Sequence, residues 1–310
     1  MSSWNLFRYL TPFWEPPIAD PIFAREQTYP PVWRRVTPWM ARAAKPALLA
    51  FVGVYGLALL LAPMPVNTLC VFSAAYLLFP LFALAPSLLF WMLPLGLTLG
   101  PIIVREREGG TWDTLRTTPL DMRLIVLSKA QGAVWPLRGL MAVIRNFLII
   151  VAFGVGAFGL IVMARAVFGA ASILPAQIVC VIGLAVAAAG AIVFLADWAQ
   201  QFVLMGVSAI AVSAAAPSQR IAVAGAIVAA FIVWMVNAGV AWLVLLALPG
   251  HALSQPTSAL PTLTILGPPV TYILALSPGE AAASIMLTLI LREIAIRAIW
   301  RLALRAATDR

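Results

Sequence analysis

The residues with the most chemical capacity lie in one run, Arg105 to Lys129, REREGGTWDTLRTTPLDMRLIVLSK. Arg105, Glu106, Arg107 and Glu108 follow one another directly, a Gly-Gly pair comes next, and Asp113, Arg116, Asp121, Arg123 and Lys129 follow. Alternating acids and bases of this kind can grip. They form ion pairs and charge-assisted hydrogen bonds, which are strongest where they are partly desolvated. Covalent chemistry is not indicated, because no nucleophile–base pair and no metal cluster stands out along the chain. Two cysteines, Cys70 and Cys180, and a single histidine, His251, fall short of a zinc set, and both thiols sit in apolar surroundings that suit a buried, inert sulfur. A G-x-x-x-x-G-K-[ST] run that would cradle phosphates is absent, so no nucleotide site is expected.

The elements around this run are apolar. The chain is 63% hydrophobic and 10% charged, far from the charge content of about a quarter typical of a soluble domain. Pro46 to Val104 contains no Asp, Glu, Lys or Arg. With about 20 apolar residues needed per crossing, the composition predicts an all-α polytopic membrane protein of about six transmembrane helices. The net charge of +9 does not indicate nucleic acid, because the basic residues border the apolar runs, as the positive-inside rule requires.

Residues 1–45 interleave Trp4, Trp14, Trp33 and Trp39 with Arg8, Arg25, Arg34, Arg35 and Arg42, a mixture suited to an N-terminal interfacial segment on the cytoplasmic side. No secretory signal peptide is expected ahead of the first long apolar run. Residues 46–310 are expected to form the six-span domain. Its spans are placed near Pro46–Ala62, Leu84–Val104, Leu140–Met163, within Gln177–Ala216 (one long helix or two), Ile221–Leu248 and from Glu280 onward. Thr68–Pro80 and Pro249–Pro278 are expected as outer re-entrant segments. Of 20 Lys and Arg, every one except Arg165 then falls on the cytoplasmic side, with both termini.

Within the loop at 105–130, Gly109-Gly110 should end the second span, since glycine accepts the backbone angles of a helix C-cap. Thr111 is placed to cap a short helix through Arg116, Thr118-Pro119 to stop it, and Asp121 to cap a second helix over Met122–Lys129. Leu124, Ile125 and Leu127 offer that helix an apolar side. Two short helices with a fixed turn make a stiff lever joined to two spans.

The run Glu106-Arg107-Glu108-Gly109-Gly110-Thr111-Trp112-Asp113, followed by Thr118-Pro119-Leu120-Asp121 and Lys129, resembles the signature of ABC type-2 transporter permeases, E-R-E-x-G-T-x-E, then T-P-L-S, then G-K. Asp20-Pro21-Ile22-Phe23-Ala24-Arg25-Glu26 is similar to the N-P-x-x-x-R-E run on that family's N-terminal interfacial helix, and Gly206, Ser208 and Ala222 loosely match a pattern around its fourth span. Asp113, Asp121 and Ser128 depart from the usual Glu, Ser and Gly, and the distance from Glu106 to Gly206 is longer than the family's.

The resemblance implies a non-catalytic permease subunit of an ATP-driven exporter in the cytoplasmic (inner) membrane. It would pair with a second permease, as a homo- or heterodimer, and with a separate ATPase subunit that holds ATP and Mg, the permease itself carrying no cofactor. The ATPase-coupling residues would be Glu106, Arg107, Glu108, Gly110, Thr111, Asp113, Thr118, Pro119 and Lys129, on a cytoplasmic coupling helix. An alternative is an accessory or scaffold subunit that keeps the fold without transport. A secondary transporter would show internal repeats and more midplane polar residues.

Asp197 is the acid expected at membrane depth, where it would line a translocation path, pair with the second permease or sit at the interface beside Trp198. Arg292 lies deep enough that it must snorkel or pair. Arg297, Arg301 and Arg305 recur every four residues and form one ridge of the last helix, suited to anionic headgroups or to the ATPase.

Overall fold

The computed structural model describes residues 3–11, 20–27, 92–142, 145–146, 149, 176–247 and 278–309, all of them helix or helix-linking turn, with no strand among them. The expected first span, the Thr68–Pro80 segment, the Pro249–Pro278 segment short of its last residue, the start of the second span, most of the third span, much of the N-terminal interfacial segment, Arg165, Cys70 and His251 lie outside the described residues. The described helices are α1 (Ser3–Leu10), α2 (Pro21–Gln27), α3 (Leu93–Leu99), α4 (Ile102–Glu108), α5 (Trp112–Arg116), α6 (Met122–Val134), α7 (Ala176–Ala215), α8 (Gln219–Ala247) and α9 (Pro278–Asp309). Two stretches within them, Ala188–Ala215 and Gln219–Val236, are long and apolar enough to cross a membrane.

Gln177–Ala216, open to one helix or two from sequence, is one helix of 40 residues, about 60 Å at helical rise. Alanine is its commonest residue, and no proline interrupts it until Pro217, whose ring cannot continue the ladder. The chain reverses within Ala216–Ser218 and returns as α8, a 29-residue helix. α9, of 32 residues, makes its most extensive packing against α7.

Small residues set the helix directions. The α3–α4 segment runs parallel to α7: a Cβ at Gly96 would stand 2.8 Å from Met205 Cε, and seven residues on, the Ile103 amide donates to Ser213 Oγ at 2.9 Å. The same segment runs antiparallel to α8, since a Cβ at Gly100 would stand 2.9 Å from Ala226 Cβ and 3.1 Å from the Ala222 carbonyl. Gly100-Pro101 interrupts the helix here, and Ser213 takes the amide that the break releases. α9 is parallel to α7, with Arg292 beside Asp197 and Ala306 level with Ala214. The ends of α4, α7 and α9 and the start of α8 therefore meet in one layer, which carries the charged run.

The two short N-terminal helices dock sideways on this bundle. Phe7 of α1 sits edge-on to Trp198 and Phe202 of α7, with ring centroids 6.2 and 6.0 Å away, and Leu10 fills the space that Gly206 leaves open. α2 starts at Asp20, whose Oδ1 accepts from the amides of Ile22 (2.9 Å) and Phe23 (3.3 Å), with Pro21 at the first helical position. It lies across α6 at Gly132, where a Cβ would come within 2.6 Å of Glu26 Cβ and 2.8 Å of the Phe23 carbonyl. By contrast, Gly139 has open space around the corresponding position.

Gly132→Val is therefore expected to push α2 off α6 and lower stability by about 1–3 kcal/mol, whereas Gly139→Ala is expected to be neutral or slightly stabilising. Thermal unfolding of the detergent-solubilised chain checks both.

Candidate functional site: a buried charge cluster beneath a helix-end hub

The charged run folds as the spacing predicts in outline. α4 ends in a Schellman turn: Gly110 adopts φ +68°, its amide bonds to the Arg107 carbonyl at 3.0 Å, and the Thr111 amide bonds to the Glu106 carbonyl at 3.0 Å. Of the glycine pair, only Gly110 takes the left-handed conformation, with Gly109 at φ −79°. Asp121 caps the next helix through the Arg123 amide at 3.0 Å, and that helix continues to Val134 before a 3-10 turn at Trp135–Leu137. Its Ile125 and Leu127 are buried while Leu124 faces outward.

Thr111 departs from expectation. It stands at the start of α5 but makes no cap there; its hydroxyl bonds to the Glu106 carboxylate, and Arg25 Nη2 lies 3.3 Å from it. A buried carboxylate gains more from the hydroxyl than an exposed amide does, since that amide can use water.

Glu106 is the centre of a buried cluster. Lys129 Nζ, 1% exposed, contacts Glu106 Oε1 at 2.9 Å and also bonds to Glu26 Oε1. Both carboxylates are as buried as the ammonium. Two arginines close the edges: Arg25 reaches Glu106 Oε2 at 3.1 Å, and Arg105 pairs with Glu26 Oε2. Three separate stretches of sequence, on α2, α4 and α6, thus supply one ion cage. Burial pushes the Glu106 carboxyl up, but the Thr111 hydroxyl, the hydrogen bond and charge of Lys129 and the charge of Arg25 outweigh it. Glu106 therefore sits below the usual glutamate range.

Arg107 and Glu108 face the ends of the long helices. Arg107 donates to the Ala214 carbonyl at the end of α7 (2.7 Å) and to the Ala306 carbonyl near the end of α9 (3.0 Å), and its guanidinium lies 5.9 Å from the Trp112 ring centroid. Trp112 Nε1 donates to the Ala307 carbonyl at 3.3 Å, and Arg116 bonds to the Thr308 carbonyl. The last turn of a helix leaves carbonyls without intrahelical partners, and here loop side chains take them. Glu108 does the reverse, accepting the first amide of α8, Gln219 N, at 2.8 Å. A carboxylate at a helix N-terminus and cations at C-termini complement the helix dipoles at every point.

The sequence-assigned coupling residues therefore divide. Glu106, Thr111 and Lys129 join in the cluster, Arg107 and Glu108 hold helix ends, and Gly110 supplies the turn. Asp113 and Pro119 are exposed, and Thr118 is half-buried with its hydroxyl donating to the Leu115 carbonyl at 2.6 Å. Arg107, Gly110, Trp112 and Asp113 line a partly open cleft. The outward tip carries two large apolar side chains, Leu120 at 48% and Leu124 at 47% exposure, flanked by Asp113, Asp121 and Arg123.

Asp197 is buried on α7 and pairs with Arg292 of α9; Gln201 Nε2 donates to its other oxygen at 2.7 Å. Neither residue was assigned to the other from sequence, although an acid and a base that each needed a partner at depth were the available signal. For Arg107, Trp112 and Arg116 no such signal existed, because their partners are backbone carbonyls. Among the described residues no group of His, Cys, Asp or Glu could hold a metal ion. Comparison with family models, with curated proteins and with solved structures finds no match for this chain.

Lys129→Met leaves two buried carboxylates facing each other and is expected to cost about 3–5 kcal/mol. The pH response should weaken with it. In the native chain, lowered Glu106 contributes stability at neutral pH that is lost only as pH falls through its lowered value. In the variant, Glu106 keeps the Thr111 hydroxyl and Arg25 but loses the hydrogen bond and charge of Lys129, so the stability lost as pH falls from 7 toward 4 should be smaller than in the native chain. Unfolding midpoints across pH test this.

For Asp197 and Arg292, each single apolar substitution is expected to cost about 3–5 kcal/mol. The double variant Asp197→Leu/Arg292→Met should recover much of that loss, and a double-mutant cycle on unfolding free energies measures the coupling.

Proposed function

We propose that the chain is the permease subunit of an ATP-binding-cassette exporter, with about six transmembrane helices, both termini cytoplasmic, and the 105–130 loop as its coupling element. The observation that carries this reading is the convergence of the Asp20–Glu26 run, the Glu106–Thr111 run and Lys129 into one buried cluster. These are the stretches by which the chain resembles ABC type-2 permeases. A loop tied to the ends of α7, α8 and α9 at once suits a part that moves several spans together when a partner pushes on it.

The directions of the long elements, with α3–α4, α7 and α9 parallel to one another and α8 antiparallel to them, support the proposed topology. So do the apolar exposed faces of the long helices, for example Val228, Phe231, Ile232 and Met235 on α8. An apolar surface of that extent suits contact with acyl chains. ATP and Mg belong to the partner ATPase in this reading, and two permeases and two ATPases make the assembly. The partner's contact is the loop tip around Asp113–Leu124. Glu106 takes part from beneath, by keeping the loop rigid.

Purification of the tagged chain in mild detergent tests the proposal. A stoichiometric ATP-binding-cassette ATPase is expected with the native chain. Leu120→Asp/Leu124→Asp should lose it with an unchanged unfolding midpoint, because both side chains are already solvent-exposed. A set of partners without any ATPase overturns the reading in favour of an accessory subunit.

A further inference from the structure

The exposed face of α9 changes character once along its length. Met286, Ile290 and Ile294 recur every four residues and are 57%, 50% and 59% exposed. Arg297, Arg301 and Arg305 then follow, all exposed. At about 100° per residue, these six positions fall within an arc of about 100°, so the arginines extend the apolar ridge instead of turning onto another side. The opposite side of the same stretch is fixed in the bundle by Ile296, Trp300, Ala303 and Ala307, all buried, so the ridge cannot rotate inward.

Two details identify the surroundings for which this ridge is suited. Leu302, beside Arg301, is 59% exposed, so apolar surface persists at the level of the cations. That mixture fits the boundary between headgroups and acyl chains, where an apolar side chain and a guanidinium each find a partner. Arg297 is also held at the start of the basic stretch. Its Nε donates to Glu293 at 2.9 Å, and the same Glu293 oxygen accepts from the Ser3 amide of α1 at 3.3 Å. The planar guanidinium matches phosphate oxygens two at a time, which a lysine ridge would not do.

We propose that Arg297, Arg301 and Arg305 form a binding seat for the phosphate of an anionic phospholipid whose acyl chains lie along Met286, Ile290 and Ile294. The three guanidiniums span about 12 Å of helix axis, enough to surround one headgroup. The seat is independent of whatever docks on the loop tip.

The full chain, reconstituted in nanodiscs of phosphatidylcholine alone or mixed with phosphatidylglycerol, provides the test, read by unfolding midpoint and by native mass spectrometry of retained lipid. Phosphatidylglycerol is expected to raise the native midpoint and to be retained. R297Q/R301Q/R305Q should lose both responses, with apparent affinity falling on the order of a hundredfold, while its midpoint in phosphatidylcholine stays native. Arg301→Gln alone should fall part of the way, which keeps the test open if the triple variant does not fold. An undiminished phosphatidylglycerol response in the variants overturns the proposal. So does an equal rise in midpoint with inorganic phosphate, which would mark a free-anion site, or loss of a co-purifying subunit with the lipid response intact, which would mark a protein interface.

Discussion

The ammonium of Lys129, buried between Glu26 and Glu106, is the interaction on which the rest of the described structure depends. It joins three helices, α2, α4 and α6, at one point. α2 has seven residues, too few to persist alone, and α4 and α6 are separated by a turn, a short helix and a second turn. Desolvation makes the arrangement demanding: an ammonium and two carboxylates out of water are stable only while every partner is in place. Arg25 and Arg105 complete the balance from the rim, and Thr111 takes a remaining carboxylate lone pair. A cluster of this kind specifies geometry more than it adds stability.

Above the cluster, the loop works through helix ends. Arg107, Trp112 and Arg116 take carbonyls at the end of α9, Arg107 also takes one at the end of α7, and Glu108 takes the first amide of α8. These contacts are local to terminal turns, where backbone groups lack intrahelical partners, so a short loop can govern three long helices without inserting between them. About 21 Å further along α9, at helical rise, Arg292 joins it to α7 through Asp197. The two helices are thus tied by charge at two levels, with small and apolar residues packed between.

The outward parts of the chain divide by chemistry. The loop tip presents Leu120 and Leu124 among charges, while the free face of α9 is apolar and then basic. One surface suits a folded partner and the other a lipid monolayer. They are held in fixed relation because Trp112 and Arg116 bind the same final turn of α9 that follows Arg305.

Much of this was legible in the sequence. The helical, apolar character of the chain, the turn at Gly109-Gly110, the cap at Asp121, the stop before Pro119 and the basic ridge of the last helix all follow from residue types and spacing, since each depends on neighbours within one or two turns. What the sequence could not assign was partnership. Glu106, Arg107, Glu108 and Arg116 read as outward grips because charge in a loop is usually solvated. Instead, Glu106 turned inward to a lysine 23 positions on and an arginine 81 positions back, and the other three to the ends of distant helices. Local rules place a charged side chain on an element; only the packing of elements decides whether water, another charge or an orphaned carbonyl will meet it.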